Sequence, residues 1–207
     1  MKQVLSSSRQ YIEQLKTAGY RDEALFLANA HANTLVPVEQ SMTPRDRQMA
    51  EKLVHLVESH PGHQIVVWGA SSHLVNSLAV IDNMKPDWTY DSAISMGQLV
   101  KQQLDEKYFA IAMTACTGTF GAQQIGIEEK RIQKPKPGSL EYYMCENEFD
   151  QAAFINLRSL SAREDGAWLQ SPLLARPLGY EFMRASWPLV LDGLIVVRKM
   201  EPSTPVE

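Results

Sequence analysis

The sequence predicts an α/β protein whose mainly parallel sheet is flanked by helices. An amphipathic helix runs through SMTPRDRQMAEKLVHLVESHPG, and an apolar run, QIVVWGA, follows it at once. The same order of helix, turn and strand recurs over SMGQLVKQQL, DEK and YFAIAMTACTGTF. Two such units in tandem favour parallel strands, because a helical crossover returns the chain to the same end of the sheet.

Residues 8–33 place Ile12, Leu15, Ala18, Leu25, Leu27 and Ala28 at roughly helical spacing, with Gly19 as a break between two helices. In the next helix Thr43 is the expected N-cap and Pro44 the first helical residue, where its missing N–H costs no hydrogen bond. Pro61-Gly62 ends that helix, and Met49, Leu53, Leu56 and Val57 form its expected buried stripe. The apolar run of residues 64–70, bounded by turn residues, suits a strand covered on both faces. Residues 95–104 read as a helix, 105–107 as a turn and 108–120 as a second strand entering a Gly/Thr-rich loop. Charge and two prolines mark 121–140 as an exposed loop or hairpin. QAAFINLRSL and WPLVLDGLIVVRKM supply further strands, the latter around an Asp-Gly turn, and the polar tail 201–207 is expected to be disordered.

A chain of 207 residues is long enough for one well-packed core, so a single α/β domain is expected over residues 1–200. The net charge of −4 argues against nucleic acid as a partner, since phosphate contacts need a Lys/Arg surplus. No stretch approaches the ~20 apolar residues of a membrane span. The amino terminus, MKQVLSSSRQYIEQL, is polar where a signal peptide would be apolar, which leaves the cytoplasm as the expected location. Cys116 and Cys145 are too few for a disulfide framework and lack zinc-site spacing, so both are expected as buried thiols, and no metal or cofactor is expected.

In an α/β sheet the carboxyl ends of strands form the functional edge, and His73 lies just beyond such an end in IVVWGASSHLVN. Arg45, Asp46 and Arg47 occupy the first turn of the long helix. Asp46 complements the positive end of the helix dipole; the arginines do not, and a guanidinium there could hold an anion together with free N–H groups. A serine nucleophile would require G-x-S-x-G, whereas GASSH ends in His73, so Ser71 and Ser72 are set aside as nucleophiles. His60-x-x-His63 has metal-like spacing but encloses Pro61-Gly62 and reads as a turn.

Taken together and in order, PRDRQMAEKLVHLVE, VVWGASSHLVNS and SMGQLVKQQLDEKYFAIAMTACTGTF resemble the carboxyl-terminal half of the erythromycin esterase family. That family has an Arg-Asp-x-x-Met-Ala helix, a strand ending in Trp-Ala-His-Asn-x-His, and a Met-Gly helix leading to a strand. LRSL, the Trp-Leu of GAWLQSP and LDGLIVVRK are similar to its closing segments. The resemblance places Arg45 and Asp46 on the Arg-Asp pair, and Trp68 and His73 on the first and last positions of the histidine motif. It departs at Gly69, Ala70 and Ser71, where the family has alanine, its first histidine and asparagine. The Gly-Glu-x-x-His-Gly loop of the family's amino-terminal half does not occur in these residues.

The resemblance implies a partial erythromycin-esterase-like fold and a hydrolase that directs water at a carboxylic ester or macrolactone. His73, Arg45 and Asp46 are then the catalytic candidates, and Trp68, Ser71 and Ser72 line the substrate site. With one imidazole and the upstream base missing, weak or no activity is expected of the chain alone. The alternative is a non-catalytic small-molecule-binding relative that keeps the cleft without the full acid-base set. A partner chain at an incomplete sheet edge is a further expectation.

Overall fold

The computed structural model describes residues 10, 12–19, 42–85, 89–121 and 129–202. The predicted helix over 20–33, the side chains of Thr43 and Pro44, and the tail beyond residue 202 lie outside the described residues. The chain clusters into two compact units, Met1–Ile65 and Val66–Glu207.

In the first unit residues 12–17 are helical and turn at Gly19, whose φ of +89° supports the predicted break. Helix α1 spans Met42–Ser59. Its inward face differs from the predicted stripe: Asp46, Ala50 and Val54, each four residues apart, are buried, while Leu56 is exposed. Met49, Leu53 and Val57 only flank that face, half-buried. Among the described residues no helix is long and apolar enough to cross a membrane.

The second unit opens with a correction. Val66–Ala70 forms no strand: residues 66–69 make no backbone hydrogen bond, Val66 is 90% exposed and Trp68 87% exposed. Apolar and β-branched residues favour extended backbone, but a strand also needs a neighbour to satisfy its N–H and C=O groups. Helix α2 (Ser71–Leu74) follows, then the expected helix α3 (Met96–Leu104), capped by Ser95, whose Oγ accepts the Gln98 N–H at 3.1 Å. A 3₁₀ turn at Asp105–Lys107 leads to β1 (Ile111–Phe120), and β2 (Lys130–Arg131) pairs back on Thr119 and Phe120 as the expected hairpin. The remaining elements are α4 (Leu140–Cys145), β3 (Ala152–Asn156), α5 (Leu157–Ser161), β4 (Leu173–Ala175), β5 (Met183–Ala185), α6 (Trp187–Val190) and β6 (Gly193–Met200).

The main sheet has the order β2-β1-β6-β3 and is mixed, not mainly parallel. β1 and β6 run parallel, while β2 on β1 and β3 on β6 are antiparallel. Asn156, which ends β3, lies opposite Gly193, which starts β6, so the chain leaves one strand where it later enters the other. The predicted strand QAAFINLRSL therefore divides. Asn156 Oδ1 accepts the Ser159 N–H at 2.8 Å, an N-cap that converts LRSL into α5. WPLV likewise becomes α6, with proline in its first turn. Leu157, Trp187, Leu194 and Val196 are fully buried, and the Trp187 indole N–H donates to the Leu173 carbonyl at 2.8 Å.

Cys116 of β1 and Cys145 of α4 are joined in a disulfide rather than left as two thiols. Their Cα atoms lie 5.7 Å apart because α4 packs on β1, a proximity that a separation of 29 residues in sequence does not disclose. Replacing Cys116 by serine should lower the unfolding free energy by about 2–4 kcal/mol, the usual worth of a bridge closing a loop of this size. Urea titration of the two proteins checks this, and an unchanged midpoint would show that the bridge does not form.

Candidate active site around His73

His73 sits in the single turn of α2, directly after the open segment, with its side chain half-buried. Its backbone N–H donates to the Ala70 carbonyl at 2.9 Å, and the Val75 N–H reaches the Ser71 carbonyl at 3.2 Å. So short a helix has little stability of its own, and outside clamps hold it. The Tyr108 hydroxyl donates to the Leu74 carbonyl at 2.6 Å, and Ser95 Oγ donates to the Val75 carbonyl at 2.7 Å. Gly97 lies directly against the Leu74 carbonyl, so that any Cβ there would drive into it. Burial, helped by the Asp192 charge, pushes the Tyr108 phenol well above its ordinary range and keeps it a hydrogen-bond donor.

Asp192 anchors this frame from below. Its Oδ2 accepts the Ala110 N–H at 2.7 Å and the Asn76 side-chain amide at 3.2 Å, and its Oδ1 accepts Arg158 Nε at 2.7 Å. Arg158 also donates to the Tyr108 carbonyl at 2.6 Å and to Glu106 at 3.0 Å. One nearly buried carboxylate thus ties the start of β6 to the start of β1, to α5 and to the residue three beyond His73. LRSL and LDG were recognisable as closing segments of a family pattern, but nothing in their spacing announced that Arg158 and Asp192 meet.

A second polar cluster lies between β1, α4 and β4. Glu141 and Arg176 are fully buried. Glu141 Oε1 accepts the Thr114 hydroxyl at 3.0 Å and the Arg176 backbone N–H at 2.9 Å, while Oε2 has no hydrogen-bond partner. The Arg176 guanidinium donates to the Gln133 carbonyl and, at 2.7 Å, to the Ala115 carbonyl. Burial raises the Glu141 carboxyl above its ordinary 4.5, against the pull of the Arg176 and Glu141 backbone N–H groups, the Arg176 charge and Thr114.

The predicted site residues fall in two groups. Trp68, Ser71, Ser72 and His73 share one segment of the second unit, with Trp68 exposed and the other three half-buried. Arg45 and Asp46 share the first turn of α1 in the first unit; Arg45 is exposed and Asp46 is fully buried. His60 and His63 flank a turn in which the His63 N–H donates to the His60 carbonyl at 3.2 Å. No cluster of His, Cys, Asp or Glu that could hold a metal occurs among the described residues.

A profile of the erythromycin esterase family matches residues 1–200. The chain belongs to the erythromycin esterase family. Three solved structures share this fold. A succinoglycan biosynthesis protein superposes with a TM-score of 0.69 at 19% identity, over 96% of this chain and 50% of its own. A Bacillus cereus protein gives 0.66 at 16%, over 98% and 53%. A histidine-to-asparagine mutant of erythromycin esterase EreC in its open conformation gives 0.56 at 14%, over 96% and 52%. The chain therefore spans about half the length of the structures it matches. No protein of curated function matches it in sequence.

Two outcomes follow from these clusters. Asp192→Ala should cost about 3 kcal/mol, because it strands the Arg158 Nε–H and the Ala110 N–H without their acceptor; a loss below about 1 kcal/mol in urea unfolding would refute the anchoring role. Glu141 binds its proton more tightly folded than unfolded, so its contribution is fully present below pH 4.5 and is lost as pH rises through the raised folded value. The stability of wild type relative to Glu141→Gln should therefore fall from acid to neutral pH, and a difference flat with pH would contradict it.

Proposed function

We propose that this chain carries the histidine side of an erythromycin-esterase-type hydrolase, acting on a carboxylic ester or macrolactone. The observation that carries this reading is the setting of His73 in a chain of that family. The residues just after it are clamped, Leu74 by Tyr108, Val75 by Ser95 and Asn76 by Asp192, yet the His73 side chain is half-buried beside an open segment. A general base must be held and reachable together, and histidine is the side chain suited to exchange a proton near neutral pH.

In this reading His73 takes a proton from the water that attacks the carbonyl carbon. The negative charge collects on the former carbonyl oxygen, and the proton returns to the leaving alkoxide as the tetrahedral intermediate collapses. Ser71 and Ser72 lie within the same turn and can orient the substrate by their hydroxyls. Trp68 offers an apolar face at its entrance. Ala70 brings no second imidazole to the oxyanion, which is why slow turnover is expected of the chain alone.

Ala70 also favours a second reading, a binding protein that holds an ester or macrolactone without cleaving it. The purified chain with a p-nitrophenyl ester and with a macrolide separates the two. Slow hydrolysis that falls about 100-fold or more in His73→Ala and rises in Ala70→His supports the enzyme. Macrolide binding without turnover supports the second reading, and hydrolysis indifferent to His73→Ala would overturn the first.

A further inference from the structure

Two charged segments of the second unit have a fixed backbone and unpaired side chains. The first is the strap that continues from β2. Lys130, Arg131, Lys134 and Lys136 are all exposed, and with Glu129 beside them residues 129–136 carry three net positive charges in a chain whose total is −4. Among the described residues none of the four cations forms an ion pair, and Lys136 lies over the Phe182 ring, 4.4 Å from its centre. The backbone beneath them is tied down at three points. The Ile132 N–H donates to the Gly118 carbonyl at 2.9 Å, the buried Arg176 guanidinium donates to the Gln133 carbonyl, and the Ser139 N–H closes a turn on the Lys136 carbonyl at 3.0 Å. Lys134 and Lys136 each precede a proline, which holds them extended.

The second segment, residues 146–150, reads ENEFD, and its three carboxylates on Glu146, Glu148 and Asp150 are exposed. Arg198 of β6 holds it: the guanidinium donates to the Cys145, Asn147 and Phe149 carbonyls at 3.1, 3.0 and 2.8 Å and lies 3.9 Å from the centre of the Phe149 ring. Those carbonyls belong to alternate residues, and the acids occupy the positions that follow each. Among the described residues none of the three acids forms an ion pair. The segment runs into β3, at the opposite edge of the main sheet from β2, so the strap and the acids of one molecule do not pair with each other.

Exposed ion pairs contribute little singly, in part because the side chains that make them must be ordered first. Here the backbone of both partners is ordered in advance, and the charges match, three positive against three negative, which favours one register over others. A polyanion such as nucleic acid would satisfy the strap and be repelled by the acids. A second copy of the chain supplies a complement to both.

We infer that the 130–136 strap is the docking surface for the 146–150 segment of a second copy of this chain. The two surfaces differ, so the contact is heterologous: a molecule that docks through its acids still presents its own strap, and association grows with concentration unless the ring closes. The inference uses no residue of the His73 segment and is independent of hydrolysis.

Sedimentation velocity of the 207-residue chain over a concentration series tests it. At about 0.05 M salt the wild type should form concentration-dependent oligomers, and their apparent Kd should rise at least about tenfold by about 0.5 M, because exposed charges are screened. Two double variants, Arg131→Glu with Lys134→Glu and Glu146→Lys with Glu148→Lys, alter only exposed side chains. Each should be monomeric at low salt while melting like wild type. Mixed in equal amounts they should associate again, since the unaltered strap of one meets the unaltered acids of the other. Three results would overturn the inference: a wild type that stays monomeric at millimolar concentration and low salt, oligomers indifferent to salt or to the double variants, or monomeric variants whose mixture stays monomeric.

Discussion

The second unit depends on one carboxylate. Asp192 is nearly buried, a position that is costly for a charge unless both its oxygens are hydrogen-bonded. Here they are, by a guanidinium, a backbone N–H and a side-chain amide. Those partners belong to α5, to the approach of β1 and to the chain leaving α2, three places far apart in sequence. Hydrophobic burial brings these elements together without fixing their mutual angle; the directed bonds of Asp192 and Arg158 supply that angle. Since Tyr108 receives one of the Arg158 bonds through its carbonyl and reaches Leu74 through its hydroxyl, the orientation set at Asp192 is passed to the backbone beside His73.

The Glu141 cluster offers a contrast. Its carboxylate is as deeply buried but only one oxygen is bonded, and the neighbouring guanidinium spends its N–H groups on carbonyls of the Gln133 and Ala115 region. The Asp192 network is a completed charge arrangement; the Glu141 site keeps a carboxyl in a setting that favours its neutral form. One unit therefore holds two buried acids, one bonded through both oxygens and framing the histidine segment, the other bonded through one and lying toward the hairpin side of the sheet.

Local chemistry was the legible part of the sequence. Ser95 capped its helix because a short side-chain oxygen three residues before an N–H needs no distant help, and β1 was visible as an apolar run long enough to cross a core. LRSL was misread as strand because five residues are too few for helical periodicity to show, and the deciding group, Asn156, precedes them. The disulfide and the Arg158–Asp192 pair were invisible for a different reason: both are contacts across long sequence separations, created by topology. The run at 65–70 has the residue types of a strand but forms none, since pairing and burial belong to the neighbour and not to the run itself. The histidine segment itself was found from the order of its motifs; the frame that holds it was not.

The dipeptide Asp192-Gly193 has a chemical consequence of its own. The glycine lets the Phe154 ring approach to within 2.6 Å of where a Cβ would stand, so a larger residue after the aspartate would have to push that ring aside. An Asp-Gly pair in a flexible chain is among the dipeptides prone to cyclise, its glycine nitrogen attacking the side-chain carboxyl carbon with loss of water to give a succinimide and then isoaspartate. Here the Gly193 N–H is bonded to the Ala110 carbonyl at 3.0 Å, and both carboxylate oxygens are held by their partners. Neither the nucleophile nor the electrophile can turn toward the other. The bonds that set the angle of the histidine segment thus also slow the chemical ageing of the chain at this linkage.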